Sequence, residues 1–121
     1  MNRAQEIAWA AGLMEGEGCF TRLYQRKRGT KYPCVCIGMT DKDPVVDVAR
    51  ILGGGGHLRR RERGGVRKPC WMWQIVGSGA TRVMRLLLPY MKKRRSARIR
   101  QLLRGDLRTV AETAKARKRK K

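Results

Sequence analysis

Two closely spaced carboxylates, Glu15 and Glu17, are the residues of this chain best suited to chemistry. Small residues precede them: Ala8, Gly12 and Gly16 recur every four positions, which predicts a helix with a nearly smooth face. We expect this helix to end near Glu15, where the glycines begin. A carboxylate at a helix C-terminus meets the negative end of the dipole, at a cost of about 0.3–1 kcal/mol. The sequence therefore predicts a cationic group beside these acids.

The charge of the chain indicates a polyanionic partner. Thirty Lys and Arg residues against nine Asp and Glu give a formal net charge of +21 over 121 residues. Such a charge favours nucleic acid as the partner, rather than an anionic membrane or a small molecule. The sequence contains no run of about 18 apolar residues and no apolar signal core. We therefore expect a soluble intracellular protein, in the cytoplasm, the nucleoid or an organelle, that is not secreted.

Four cysteines bear on metal binding and on disulfides. They could form two disulfides or one zinc site, but their spacing contains no CxxC pair. In an intracellular protein, free thiols packed in or near a sheet are the simpler interpretation. We therefore assign no metal to Cys19, Cys34, Cys36 and Cys70.

Two hairpins, each followed by a helix, account for most of the chain after the acidic segment. Alternating residue types and glycine-containing turns predict the strands, and apolar stripes predict the helices. The order predicts an α+β fold of αββαββα type, an antiparallel sheet with helices on one face, in a single domain over residues 1–104. Residues 105–121 are predicted to form a basic C-terminal helix or tail, whose end is frayed or disordered. The predicted strands are 19–27, 32–40, 57–63 and 70–76; the helices begin at Asp43-Pro44, near residue 80 and near residue 93, and the first turn is 28–31.

Alternation along the strands assigns each side chain to one face of the sheet. Val35, Ile37, Trp73 and Ile75 should point to the core, together with Met39 and Trp71. The opposite face is rich in arginine, which can pair with guanine in the major groove and also contact phosphates. We predict that this face binds DNA; a solvated cationic face without sequence preference is the alternative. The predicted DNA-binding residues are Thr21, Leu23, Gln25, Lys27, Tyr32, Cys34, Cys36, His57, Arg59, Arg61, Arg63, Cys70, Met72 and Gln74.

Alternation places two further arginines on the face that should be buried, which is unfavourable for charged side chains. Strict alternation sends Arg22 and Arg26 towards the helices, so a twist, a bulge or a strand end must release them.

Residues 10–20, Ala-Ala-Gly-Leu-Met-Glu-Gly-Glu-Gly-Cys-Phe, resemble the LAGLIDADG motif in a single copy. The two acids replace the two Asp of the motif, and Ala10 replaces its leading Leu. The chain thus resembles the LAGLIDADG homing endonucleases over about residues 4–104. For the motif alone, an ordinary small-residue helix with a solvated acidic end is the alternative. Further similarities are Ala11, Gly12, Leu13 and Gly18 in the motif, and beyond it Thr40-Asp41, Leu52, Trp73-Gln74-Ile75, Gly77 and Leu88-Pro89-Tyr90-Met91.

The resemblance implies roles for a few residues. Glu17 would bind a divalent metal at the scissile phosphates, with the carbonyl of Gly16 as a further ligand. Arg94 would be the basic residue near the scissile phosphate, with Lys93 in its place if the register shifts by one. Asp41 would lie at the edge of the active site, or would simply form the entry turn of a helix. The implied metal is Mg²⁺, with Mn²⁺ as a substitute and Ca²⁺ supporting binding without cleavage.

The resemblance also implies a homodimer, because one chain supplies one Glu17 and a duplex has two strands. Ala8, Ala11 and Gly12 are predicted to pack across the two-fold axis. The predicted function is a site-specific, metal-dependent endonuclease of the homing type that cuts double-stranded DNA at a long pseudo-palindromic site and leaves short 3′ overhangs. The alternatives are a non-catalytic DNA-binding regulator, an intron-RNA maturase on the same scaffold, or a small basic structural protein of a ribonucleoprotein.

Overall fold

The first helix leads directly into the first strand. The computed structural model describes residues 1–119. Helix α1 spans Arg3–Glu17, and Asn2 caps it by accepting a hydrogen bond from the backbone N–H of Gln5 at 2.9 Å. A Cβ on Gly18 would lie 2.7 Å from the carbonyl oxygen of Met14, so only glycine allows this close junction. The helix therefore includes Glu17 and ends two residues later than the sequence predicted.

Four strands form one antiparallel sheet in the order β1-β2-β4-β3. The first hairpin turns at residues 26–29, earlier than predicted, and the third strand ends two residues earlier than predicted. Lys27 and Arg63 consequently lie in loops and not in strands. The strands are β1 Gly18–Gln25, β2 Thr30–Met39, β3 His57–Arg61 and β4 Cys70–Val76.

The helices complete the predicted αββαββα order, with two more helices after it, of which the first was predicted near residue 93. Asp41, and not the predicted Asp43, is the N-cap of the second helix, because Asp43 and Pro44 already lie in its first turn. No helix within residues 1–119 is long and apolar enough to cross a membrane. The helices are α2 Lys42–Leu52, α3 Ser78–Leu87, α4 Lys93–Leu103 and α5 Val110–Arg119, with a short 3₁₀ turn over Leu88–Tyr90 between α3 and α4.

The hydrophobic core lies between the sheet and helices α1 to α4. The predicted inward-facing residues Val35, Ile37, Trp73 and Ile75 are each at most 2% exposed, which confirms the predicted alternation. Met39 and Trp71 are only partly buried, because they pack against the edge of this core and not inside it. The ammonium of Lys42 lies 4.5 Å from the centroid of the Trp71 ring, a cation–π contact that covers the exposed side of this residue.

The chain after Gly105 is helical over residues 110–119, in agreement with the helix that was one form of the predicted C-terminal segment. The helix continues to Arg119, contrary to the predicted fraying or disorder of this end. Thr109 and Glu112 form a capping box, in which the backbone N–H of Glu112 donates to Thr109 Oγ1 at 3.0 Å and that of Thr109 donates to Glu112 Oε2 at 3.2 Å. This Thr-x-x-Glu pattern was visible in the sequence, but the overall polarity of the segment obscured it. Lys120 and Lys121 of the predicted tail lie outside the described residues.

Helix α5 also explains the orientation of Arg22. This side chain lies on the helix side of β1, as alternation predicted, and its Nη2 is 4.0 Å from Glu112 Oε1 of α5. No bulge is needed to release it, and Arg26 lies in the turn after β1.

Candidate active site and nucleic-acid interface

Glu17 is the last residue of α1, and its side chain is exposed at one end of the sheet. Gly18, which follows it, pairs with Ile37 of β2; β2 continues to Met39, and Asp41 follows. Asp41 therefore lies at the same end of the sheet as Glu17. Its side chain makes no capping hydrogen bond to α2, which leaves this carboxylate exposed at that end.

Glu15 connects the end of α1 to the start of α4. Its Oε2 accepts a hydrogen bond from the backbone N–H of Lys92 at 3.2 Å, and its Oε1 lies 4.0 Å from Arg95 Nε. Lys92 is the N-cap of α4, where the helix dipole favours a carboxylate. The predicted cationic neighbour of the acidic pair is thus confirmed for Glu15, and Arg95 supplies it.

The contact made by Glu15 brings two predicted site residues to the end of α1. Lys93 and Arg94 are the first two residues of α4, and both are exposed. Glu17, Asp41, Lys93 and Arg94 therefore share one end of the sheet. Within residues 1–119, Glu17 takes part in no ion pair, so its carboxylate is open to a ligand.

The oxygen donors at this end of the sheet fit a shared magnesium site. Among the described residues, no three His, Cys, Asp or Glu side chains lie close enough to hold a metal by themselves. One chain offers the carboxylate of Glu17 and the carbonyls of the last turn of α1, including that of Gly16, which have no donor within the helix. Mg²⁺ binds through one or two carboxylates together with substrate phosphates. The donor set is therefore complete only with ligands from phosphates or from a second chain.

The face of the sheet opposite the helices, called here the open face, carries the predicted DNA-binding residues. The strand register aligns Leu23 with Tyr32, His57 with Gln74, and Arg59 with Met72, so the predicted members in strands share one face. His57, Arg59 and Arg61 are exposed along β3 at one edge of this face. Lys27 and Arg63 lie in the adjoining loops, where Arg63 Nε donates to the carbonyl of Lys68 at 2.8 Å. The remaining members are Thr21, Gln25, Cys34, Cys36 and Cys70.

Of the three cysteines predicted to bind DNA, Cys36 and Cys70 are partly exposed and Cys34 is buried. Cys34 lies on this face but is only 3% exposed, because it occupies a central strand between Thr21 and Val76. Cys19 pairs with Cys36 across β1 and β2, and the hydrogen bond between their thiols, together with burial, raises the pKa of Cys19 well above its usual range. All four cysteines are free thiols.

Several further residues lie around the site that were not predicted from the sequence. Cys19, Thr30 and Val76 also lie on the open face by register, and strand alternation could have identified them. Arg95 Nη1 donates to the carbonyl of Gly18 at 2.6 Å, and Arg98 Nε donates to that of Phe20 at 3.3 Å. These two arginines fix α4 against β1, and no sequence pattern indicated the contact.

The exposed face of α1 differs from the predicted dimer surface at one residue. Ala8 and Gly12 are exposed as predicted, but Ala11 is 1% exposed and packs in the core of its own chain. Its side chain lies on the side of α1 that faces the sheet, so it cannot contribute to a second interface. Trp9 and Gly16 are exposed in addition to Ala8 and Gly12.

We predict that Glu15→Ala destabilises the fold. The substitution leaves the Lys92 N–H without its carboxylate acceptor and leaves Arg95 beside an uncharged surface. Because hydrogen bonds to charged groups contribute about 1.5–3 kcal/mol and Glu15 is partly exposed, we expect the free energy of unfolding to fall by about 1 kcal/mol. Urea unfolding of Glu15→Ala and Glu15→Gln measures this. The glutamine variant, which keeps the acceptor, should lose less; equal stability of the alanine variant and the wild type would contradict the assigned contact.

Comparisons with known proteins agree with this architecture. At the level of sequence, no family model and no curated protein matches the chain. The crystal structure of the homing endonuclease I-CvuI in complex with its target (Sro1.3) in the presence of 2 mM Ca is similar, with a TM-score of 0.70, 21% identity and coverage of 84% of this chain. A second structure is I-CvuI in complex with the I-CreI target (C1221) in the presence of 2 mM Mg, in which the DNA is not cleaved. It gives a TM-score of 0.69, 21% identity and the same coverage.

This similarity concerns the fold and not the whole of the neighbouring proteins. The chain spans 66% of the length of either I-CvuI chain. The match covers 84% of this chain, which folds into a four-stranded antiparallel sheet with helices packed on one side of it. The chain therefore has the fold of the LAGLIDADG homing endonucleases.

Proposed function

We propose that this chain is a site-specific, divalent-metal-dependent endonuclease that cuts double-stranded DNA as a homodimer on a long pseudo-palindromic site. The observation that carries the proposal is the exposed carboxylate of Glu17 at the end of the sheet that also carries Lys93 and Arg94. The similar structures are complexes of a homing endonuclease with target DNA, which supports DNA as the ligand of this fold.

The residues of the open face bind the duplex. A sheet ribbon fits the major groove of B-DNA, and an arginine fork can pair with O6 and N7 of guanine there. Arg59 and Arg61 project from this face and are exposed. Gln74, which pairs with His57, offers an amide that can bond to adenine. Arginines of this kind also contact phosphates, so the face combines affinity with sequence selection.

Cleavage requires charge stabilisation at the scissile phosphate. When bound, Mg²⁺ supplies an activated water and neutralises charge on the phosphate. Glu17 would hold the ion with the last carbonyls of α1, Gly16 included; Mn²⁺ would substitute for Mg²⁺, whereas Ca²⁺ would support binding without cleavage. Arg94 stabilises negative charge on the phosphate oxygens but is a poor proton donor, because its guanidinium stays charged. Lys93, beside it, supplies a second positive charge, and Asp41 borders the site.

Double-strand cleavage requires two copies of Glu17. The exposed face of α1 carries the small residues Ala8, Gly12 and Gly16, which allow two helices to approach closely across a two-fold axis, and the apolar surface of Trp9 beside them. Both copies of α1 then end beside each other and present one Glu17 to each DNA strand.

Selection from a library of duplex sites tests the proposed function. Sites bound in Ca²⁺ are sequenced and then incubated with the protein in Mg²⁺. We expect enrichment of pseudo-palindromic sites that are cut in both strands with short 3′ overhangs. Specific binding without cleavage in Mg²⁺ or Mn²⁺ would indicate a DNA-binding regulator instead, and selective binding of intron RNA over duplex would indicate a maturase.

A further inference from the structure

The segment from Lys92 to Arg119 concentrates positive charge on the helix side of the sheet. It contains twelve Lys and Arg residues and two acids, Asp106 and Glu112. Both acids are already engaged: Asp106 Oδ2 lies 2.8 Å from Arg108 Nη2, and Glu112 lies 4.0 Å from Arg22. Helices α4 and α5 contact the edge strand β1, whereas the exposed arginines of the open face lie on β3 at the opposite edge of the sheet. The segment therefore carries a second cationic surface.

Part of this surface is a cleft of about 870 Å³ between α4, α5 and the start of β1, called here the α4–α5 cleft. Seven arginines and a single acid, Asp106, line it. Arg95 and Arg98 are occupied by the carbonyls of β1. Arg100, Arg104 and Arg117 are exposed and form neither an ion pair nor a side-chain hydrogen bond within the described part of the chain. These three guanidinium groups are available to a ligand.

Contacts between side chains hold the walls of the cleft in place. Gln101 Nε2 of α4 donates to Thr113 Oγ1 of α5 at 2.7 Å, and Arg98 Nη1 donates to the carbonyl of Arg108 at 2.9 Å. Glu112 of α5 lies 4.0 Å from Arg22 of β1. The cleft is therefore a preformed feature and not a loose gap.

The lining of the cleft indicates the chemistry of its ligand. Guanidinium groups bind phosphate oxygens through paired, charge-assisted hydrogen bonds. Phe20 is the only aromatic residue that lines the cleft, and it is 5% exposed, so stacking of bases is not available. A volume of about 870 Å³ is that of a small-molecule pocket, which admits a few nucleotides of one strand and excludes a duplex.

We propose that the α4–α5 cleft binds the phosphodiester backbone of single-stranded nucleic acid without base preference. The residues that line the cleft include Gly18, directly after Glu17, and Arg117 on α5. A single strand in the cleft lies at the β1 edge of the sheet and leaves the arginines of β3, at the opposite edge of the open face, accessible to duplex DNA. The two ligands can therefore be bound at the same time.

Binding of short fluorescent homopolymers of deoxythymidine and of uridine tests this proposal. The double variant Arg100→Gln/Arg104→Gln should bind both strands about tenfold more weakly than the wild type and keep its affinity for duplex. Its log–log salt slope for a single strand should be smaller by about 1.4, because each lost phosphate contact removes about 0.7. Unchanged thermal unfolding verifies the fold of the variant, since both side chains are exposed.

The matched control is Arg59→Gln/Arg61→Gln, which removes the same charge from the open face. This variant should lose duplex affinity and keep its affinity for the single strands. Equal weakening of single-strand binding by the two double variants would overturn the proposal, as would displacement of the bound single strand by saturating duplex. Tighter binding of the uridine or of the deoxythymidine homopolymer supports the proposal and identifies the strand type. If the protein binds neither homopolymer, the proposal is refuted.

Discussion

Glu17→Gln is expected to abolish DNA cleavage while leaving duplex binding nearly unchanged. The amide keeps the shape of the side chain but loses the negative charge that would hold a divalent cation at the scissile phosphate. Because a catalytic metal contributes several kcal/mol of charge stabilisation, we expect the cleavage rate to fall by about 10³-fold or more. Single-turnover cleavage in Mg²⁺ and duplex affinity in Ca²⁺ measure the two effects separately.

Duplex binding should survive Glu17→Gln for an electrostatic reason. Glu17 is exposed and takes part in no ion pair within residues 1–119, so its replacement disrupts no contact of the fold. A carboxylate close to phosphates opposes binding in the absence of a metal, and its removal should leave the affinity unchanged or slightly higher.

The neighbouring acid provides the matched control. Glu15 accepts the Lys92 N–H and faces Arg95, so its charge is used inside the protein. Glu15→Gln should therefore keep cleavage within about tenfold of the wild type, a loss of no more than about 1.4 kcal/mol. Cleavage by Glu17→Gln at the wild-type rate would remove Glu17 from the mechanism, and an equal loss in both variants would mean that the two acids act together.

The strands show how much of the fold the sequence could predict. A side chain in a strand has only two directions, so a run such as Val35 to Ile37 or Trp73 to Ile75 determines which face is buried. The open face follows from the same alternation, and the register confirms that its predicted strand members lie together. What alternation could not predict is where each strand ends. Lys27 and Arg63 fall just outside the strands for this reason.

Several predictions about the site were incomplete or wrong because the positions concerned depend on contacts between distant parts of the chain. The partner of Glu15 is 77 residues away in sequence, and no local pattern indicates such a pair. The extension of α1 to Glu17 depends on the packing of Gly18 against Met14. On α1 itself, small residues occur on all sides, so hydropathy could not distinguish the buried Ala11 from the exposed Ala8 and Gly12. Long-range packing, and not local propensity, decided each of these positions.

The exposed face of α1 leads to the second prediction, that Gly12→Leu converts the proposed homodimer into a monomer. A Cβ on Gly12 would meet no heavy atom of its own chain within 4 Å, so the isolated chain has room for a side chain there. In a dimer the same side chain would separate the two copies of α1, whose close approach depends on the absence of a side chain. We expect sedimentation velocity to show half the wild-type mass at concentrations where the wild type is dimeric.

Loss of the dimer should also change the DNA products. One chain carries one Glu17, so the Gly12→Leu monomer should no longer cut both strands in a single event and should at most nick one strand. Ala111→Leu, which adds a similar side chain at an exposed position of α5, is the matched control and should remain dimeric and active. A Gly12→Leu protein of wild-type mass that cuts both strands would place the two-fold axis on another surface.

The effect of Gly12→Leu on stability distinguishes a loss of the dimer from misfolding of the chain. Glycine in the interior of a helix is about 0.8–1 kcal/mol less favourable than alanine, and leucine is nearly as good a helix former as alanine. The isolated Gly12→Leu chain should therefore resist urea slightly better than a dissociated wild-type chain, although the assembly is lost. A damaged fold would lower both the stability and the mass, whereas a blocked interface lowers the mass alone.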